Sequence, residues 1–227
     1  MGIGMEDMKK MQEFFAQRMK EEQQDRLARY RVLNQNVKKG ETLFVGSSLM
    51  EQFPINELAM TNGIDRVIYN RGIGGFTTDD MLANMEDKVY ALQPSRIFIN
   101  IGTNDIGAPG YRQEVLMEKY EKIITSIRER LSGVEIYMMA YYPVNETDCL
   151  GDKPWAAQMF VTRTNENILL ANAAVEKLAA KLGCHYIDVS EGLRDERGKL
   201  KKEFTIEGIH MYANGYQVVL ENMKKYL

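Results

Sequence analysis

Three short stretches place small and polar residues directly after apolar runs. Gly46-Ser47-Ser48-Leu49 follows the run 42–45, and Asn70-Arg71-Gly72-Ile73-Gly74-Gly75-Phe76-Thr77 follows 67–69. Gly102-Thr103-Asn104-Asp105 follows 97–101. The chain has 2 histidines. His185 opens another apolar run, whereas His210 ends the segment Glu207-Gly208-Ile209-His210, just before a helical pattern. A serine hydroxyl becomes a nucleophile when a neighbouring base takes its proton, and that base needs an orienting acid. One turn of chain can bring the Glu207 carboxylate to the His210 Nδ1–H and leave Nε2 facing a serine. Each piece also has a plainer reading. Ser47 or Ser48 could cap a helix, the glycines could be ordinary turns, Asn104-Asp105 could be a turn, and Glu-x-x-His arises by chance.

The elements that must position these residues follow from the hydrophobic pattern. Five runs rich in β-branched or aromatic residues lie at 42–45, 67–69, 97–101, 135–141 and 185–189. Several lack polar alternation, as expected for strands buried on both faces of a parallel sheet. Helical periodicity occupies 79–90, 114–131, 163–182 (closed by Gly183) and 214–226. Strand and helix alternate, which predicts an α/β/α sandwich with right-handed crossovers and a five-stranded parallel, flavodoxin-like sheet. Ligands in such sheets bind at the carboxyl ends of the strands, near the point where strand order reverses. The three polar loops should therefore converge on one crevice.

Ahead of this lies a stretch without Gly or Pro, 5–34, in which Met8, Met11, Phe14, Phe15, Met19, Leu27 and Leu33 recur at loose helical spacing. It predicts an N-terminal helix that packs on the body or on a second copy, giving a helical extension at 1–38 and a main domain at 39–227. The formal net charge is -3, so no basic excess attracts nucleic acid. No apolar run approaches the roughly 18 residues of a membrane span. The N-terminus lacks the apolar stretch of a signal peptide. The two cysteines, Cys149 and Cys184, form no framework and suit a reducing cytoplasm. There is no His-Glu-x-x-His motif or histidine cluster, so no metal or cofactor is expected.

Taken in order, the four blocks resemble the SGNH hydrolase superfamily, the GDSL lipases and esterases, and look most similar to its platelet-activating-factor acetylhydrolase-like branch. The resemblance runs from about residue 41 to the C-terminus. It places the family's Gly-Asp-Ser-Leu on Gly46 to Leu49, Asn-x-Gly-Ile-x-Gly on Asn70 to Gly75, Gly-x-Asn-Asp on Gly102 to Asp105, and Asp-x-x-His on Glu207 to His210. It implies Ser48 as nucleophile, His210 as base and Glu207 as orienting acid. It also implies an oxyanion hole of the Ser48 and Gly75 backbone N–H groups and the Asn104 side chain. Two positions depart from the family: Ser47 stands where the family has Asp, and Glu207 is one methylene longer than the usual acid. The expected activity is hydrolysis of a carboxylic ester through an acyl-enzyme, with a short acyl group on a sugar or a lipid-like alcohol. Phe76, Ile106 and the loop 142–155 are expected to shape the acyl pocket. Two other classes fit the same chain: a non-catalytic flavodoxin-like binding module, and a degenerate hydrolase used for protein contact.

Overall fold

The computed structural model describes residues 5–148, 151 and 153–227. Cys149 and the Met8 side chain, both used above, lie outside the described residues. The chain opens with helix α1 (Met5–Asn34), then strand β1 (Thr42–Gly46) and helices α2 (Ser48–Glu51) and α3 (Ile55–Thr61). Strand β2 (Ile68–Gly72) leads to α4 (Thr78–Ala83) and α5 (Met85–Lys88). After β3 (Arg96–Asn100) come α6 (Thr103–Ile106) and α7 (Gln113–Arg130). Strand β4 (Glu135–Met139), α8 (Asn165–Leu182), β5 (His185–Ile187) and α9 (Ala213–Met223) complete the order.

The five strands are parallel in the order β2-β1-β3-β4-β5. Successive side chains of a strand point to opposite faces, and here both faces are covered. Leu43, Val45, Ile97 and Ile99 pack with Tyr120, Ile123, Ile168 and Val175 on one side. Phe44, Phe98, Tyr137 and Met139 pack with Leu49, Ile55, Tyr216 and Val219 on the other. On this second face an aromatic row crosses the sheet: Phe44–Phe98, Phe98–Tyr137 and Tyr137–His185, with centroids 4.9, 4.8 and 4.7 Å apart. His185 is thereby a member of the sheet's packing, away from the polar loops.

One expectation needs correction. The periodic stretch 79–90 is not one helix: it breaks at Asn84 into α4, α5 and a short 3₁₀ turn, Tyr90–Leu92. The apolar phase persists through the break, with Met81, Met85 and Leu92 buried, so the pattern could not reveal it. In α1 the apolar positions divide. Leu27 and Tyr30 are buried, while Met11, Phe14, Phe15, Met19 and Leu33 are exposed.

The C-terminal half of α1 covers the β2 edge. The Tyr30 hydroxyl donates to the Gly72 carbonyl at 2.7 Å, and Arg71 donates to Asn34 Oδ1 from both Nε and Nη2. Arg71 also lies 4.8 Å from the Tyr30 ring centroid. An edge strand would otherwise present unpaired backbone groups. This cover lets buried Arg71 stand at the end of β2 without a carboxylate partner among the described residues.

Among the described residues no helix is long and apolar enough to cross a membrane. None of the described His, Cys, Asp or Glu residues form a group of three or more placed to hold a metal ion.

Candidate active site

Reversal of strand order between β1 and β3 opens a crevice at their carboxyl ends, and the three polar loops meet there. Ser48 is the first residue of α2, so its backbone N–H has no intrahelical acceptor. The Ser47 side chain does not cap that helix; its hydroxyl is buried with no hydrogen-bond partner. Ser47 is thus the serine that points away and Ser48 the one that faces the cleft.

Opposite Ser48, the segment before α9 is folded on itself. Ile206 N–H and the Thr205 hydroxyl both donate to the His210 carbonyl, at 2.8 Å each. Gly208 has φ +105, and a Cβ there would stand 2.3 Å from the Asn145 carbonyl oxygen, so only glycine fits this turn. The turn brings the Glu207 carboxylate onto His210 Nδ1, and the same carboxylate accepts the His210 backbone N–H at 3.2 Å. The other ring nitrogen, Nε2, lies 2.8 Å from Ser48 Oγ. Burial pushes the Glu207 carboxyl up, but the His210 ring and backbone hydrogen bonds and the His210 charge outweigh it, so its pKa sits below the ordinary carboxylate value. Glu207 is therefore held as an acceptor, as needed to keep the proton on Nδ1.

Asn104 lies in α6 at the third loop. Its Nδ2 donates to the Phe76 carbonyl at 2.9 Å, and its Oδ1 accepts from Arg163 Nη2 at 3.2 Å. Arg163, buried against the Gly107 backbone, also donates to the Thr103 carbonyl at 3.0 Å; burial lowers its pKa to about 10. One amide hydrogen of Asn104 is thus engaged, and the second is available to the cleft. Gly75, with φ +75, ends the second loop. Among the described residues its N–H has no hydrogen-bond partner.

The structure brings together all five residues singled out from the sequence. Ser48, Gly75, Asn104 and His210 line one cleft of about 490 Å³, and Glu207 stands behind His210. Phe76 and Ile106 do not line it. Both are buried in the core, Phe76 contributing its carbonyl to Asn104 instead. Of the loop 142–155, Trp155 is exposed at the surface, and the residue that reaches the cleft is Met159, just beyond it.

Sequence reasoning missed several residues around this core. Met19, Gln23 and Arg26 of α1 also line the cleft. Met19 stands in the apolar pattern of the helix with nothing in its spacing to tie it to the cleft, and apolar periodicity passes over polar Gln23 and Arg26 altogether. Arg163 carries no signal in its local sequence.

Lys88 did leave a trace, as a charge at a core-phase position between Met85 and Leu92. It is fully buried, donates to the Gly46 carbonyl at 2.8 Å and lies 4.2 Å from the Phe76 ring centroid. Burial lowers its pKa from 10.5 to about 7. Between those values the unfolded chain keeps a proton that the folded chain gives up, so the contribution of Lys88 to stability rises with pH. Urea midpoints of wild type and Lys88→Met, compared from pH 6.5 to 10, should therefore shift in favour of wild type as pH rises. A flat difference would mean that Lys88 folds with its charge retained.

Residues 50–218 match the GDSL-like lipase/acylhydrolase family, a span that begins just past Ser48. A provisionally named platelet activating factor from Streptococcus pneumonia is 32% identical, with 94% of this chain and 96% of that one covered and a TM-score of 0.83. A GDSL-like lipase from Bacteroides thetaiotaomicron VPI-5482 shares the fold at 20% identity and TM-score 0.72, over 88% of this chain and 96% of that one. The N-acylneuraminate cytidylyltransferase of Escherichia coli O18:K1:H7 is 25% identical over 181 residues, which is 78% of this chain. The chain spans 38% of the length of that curated relative.

Proposed function

The chain belongs to the GDSL-like lipase/acylhydrolase family, and from that premise we propose that it is a serine esterase that cleaves a carboxylic ester through an acyl-enzyme. The observation that carries the reading is the 2.8 Å approach of Ser48 Oγ to His210 Nε2, with Glu207 on the opposite ring nitrogen. In this reading His210 takes the proton of Ser48 as Oγ attacks the ester carbonyl, then returns it to the departing alcohol. Water, activated by the same imidazole, cleaves the acyl-enzyme and regenerates Ser48. Two backbone N–H groups, of Ser48 and Gly75, and the free Asn104 amide hydrogen receive the oxyanion. They come from three loops fixed by the sheet, so they need no reorganisation as charge develops.

The mouth of the cleft supports a short acyl group on a hydroxylated alcohol. Met19, Ile73 and Met159 supply limited apolar surface, while Glu22, Gln23 and Arg26 supply donors and acceptors. A cytoplasmic setting with a small-molecule ester as partner belongs to the same reading.

Wild-type protein should hydrolyse p-nitrophenyl acetate well above background, and faster than the octanoyl ester. Asn104→Ala should lower kcat on the order of 10²-fold, since one oxyanion donor is typically worth about 3 kcal/mol, and should also lower the melting temperature, because the Phe76 carbonyl and Arg163 Nη2 each lose a partner. Absence of turnover on acetyl, butyryl and octanoyl esters and on acetylated xylose would overturn the reading.

A further inference from the structure

The N-terminal helix reaches the reacting centre through one row of side chains. Met19, Gln23, Arg26 and Tyr30 are spaced by four, three and four residues, which puts them on one face of α1. Each meets the segment 72–75 or its immediate support. Tyr30 donates to the Gly72 carbonyl at 2.7 Å. Arg26 pairs at 2.7 Å with Glu51, whose other oxygen accepts the Gly74 N–H at 2.8 Å. Gln23 Nε2 donates to the Gly74 carbonyl at 2.8 Å. Met19 and Gln23 together fill the space in which a Cβ on Gly75 would stand, 3.0 Å from Met19 Sδ and 2.9 Å from Gln23 Nε2.

The Gly74 carbonyl and the Gly75 N–H belong to one peptide unit. That unit is trans, so the two groups point in opposite directions. A donor that holds the carbonyl from outside therefore aims the N–H inward. It also polarises the peptide, which strengthens the N–H as a donor. With glycine on both sides, the unit has little steric restraint of its own. Gly75 cannot gain a side chain for support, because α1 occupies that space.

We propose that Gln23 is the positioning residue of the oxyanion peptide, so that the N-terminal helix is part of the catalytic apparatus. The proposal rests on the esterase reading given above and extends it to a segment outside the four sequence blocks. Gln23 touches no reacting atom; it acts through the Gly74–Gly75 peptide.

The test compares Gln23→Met, which keeps length and removes the donor, with Gln23→Lys, which restores a donor of similar reach. Kinetics on p-nitrophenyl acetate are read in the full-length protein, with melting temperatures and a Ser48→Ala control. Gln23→Met should lower kcat about tenfold, less than outright loss of an oxyanion donor, because the peptide stays in place but is no longer aimed. KM should stay within about twofold, since ground-state binding makes little use of the oxyanion donor. Gln23→Lys should recover most of kcat. A boronic acid that forms a tetrahedral adduct on Ser48 should weaken in parallel with kcat/KM for Gln23→Met and recover with Gln23→Lys. Full kcat in Gln23→Met overturns the proposal while leaving the esterase reading intact. So does a loss that tracks melting temperature and is not relieved by Gln23→Lys, because Gln23 would then serve only to dock α1. Wild-type activity that survives Ser48→Ala would instead remove the esterase reading itself.

Discussion

Ser48→Ala should reduce kcat for p-nitrophenyl acetate on the order of 10⁶-fold, to what the oxyanion hole and binding retain over water. The fold should hardly notice. Ser48 is half-buried at a helix start, and its hydroxyl makes one hydrogen bond, to His210. Such a bond contributes about 1 kcal/mol net, and removing a site residue often costs no stability at all. His210→Ala should fall as far, and the double variant no further, because a nucleophile without its base and a base without its nucleophile are equally idle. Ser47→Ala is the internal control. The Ser47 hydroxyl is buried and unpartnered, so its removal should leave turnover close to wild type. The reverse pattern, with turnover lost in Ser47→Ala and kept in Ser48→Ala, would move the nucleophile by one residue and break the hydrogen-bonded chain argued above.

The hydrophobic pattern alone carries the sheet and the place of the site. Runs such as Ile97-Phe98-Ile99 admit no solvent-facing side, so a strand buried on both faces is their one stable placement. Loops that follow parallel strands must then gather at one end of the sheet. Where side chains do other work, the pattern misleads. The last residues of β2 are Asn70, Arg71 and Gly72, which read as loop. They are strand because α1 covers that edge and satisfies Arg71 through Asn34 and Tyr30. Phe76 and Ile106 follow site residues closely in sequence, yet their chains turn back into the core. Proximity along the chain fixes where the backbone goes and not which way a side chain points. On the α1 face that walls the cleft, Met19 is followed by polar Gln23 and Arg26, so the hydrophobic pattern does not mark that face as part of the site.

Glu207 is the residue on which the chemistry of His210 depends most directly, and Glu207→Gln should lower kcat by about 10²–10³-fold with KM nearly constant. The substitution keeps volume and shape in a site that leaves Glu207 only 3% exposed, so packing is preserved. A carboxylate accepts only, which fixes the proton on Nδ1 and leaves the Nε2 lone pair for the serine. The oxygen that meets Nδ1 also accepts the His210 backbone N–H, so in Glu207→Gln the amide oxygen keeps that place and the tautomer with it; what is lost is the negative charge that stabilises the imidazolium formed as His210 takes the Ser48 proton. Glu207→Asp keeps the charge but not the reach, and should fall between wild type and Glu207→Gln. Stability carries a second signature. Because the Glu207 carboxyl is held below its ordinary 4.5, it stabilises the fold above that pH, and the gain is lost as pH falls through the folded-state pKa. Wild type should therefore be more stable than Glu207→Gln at pH 7, with the gap closing below about pH 4.5. Full activity in Glu207→Gln would mean that the imidazolium does not need that negative charge, and that the carboxylate serves the turn rather than the reaction.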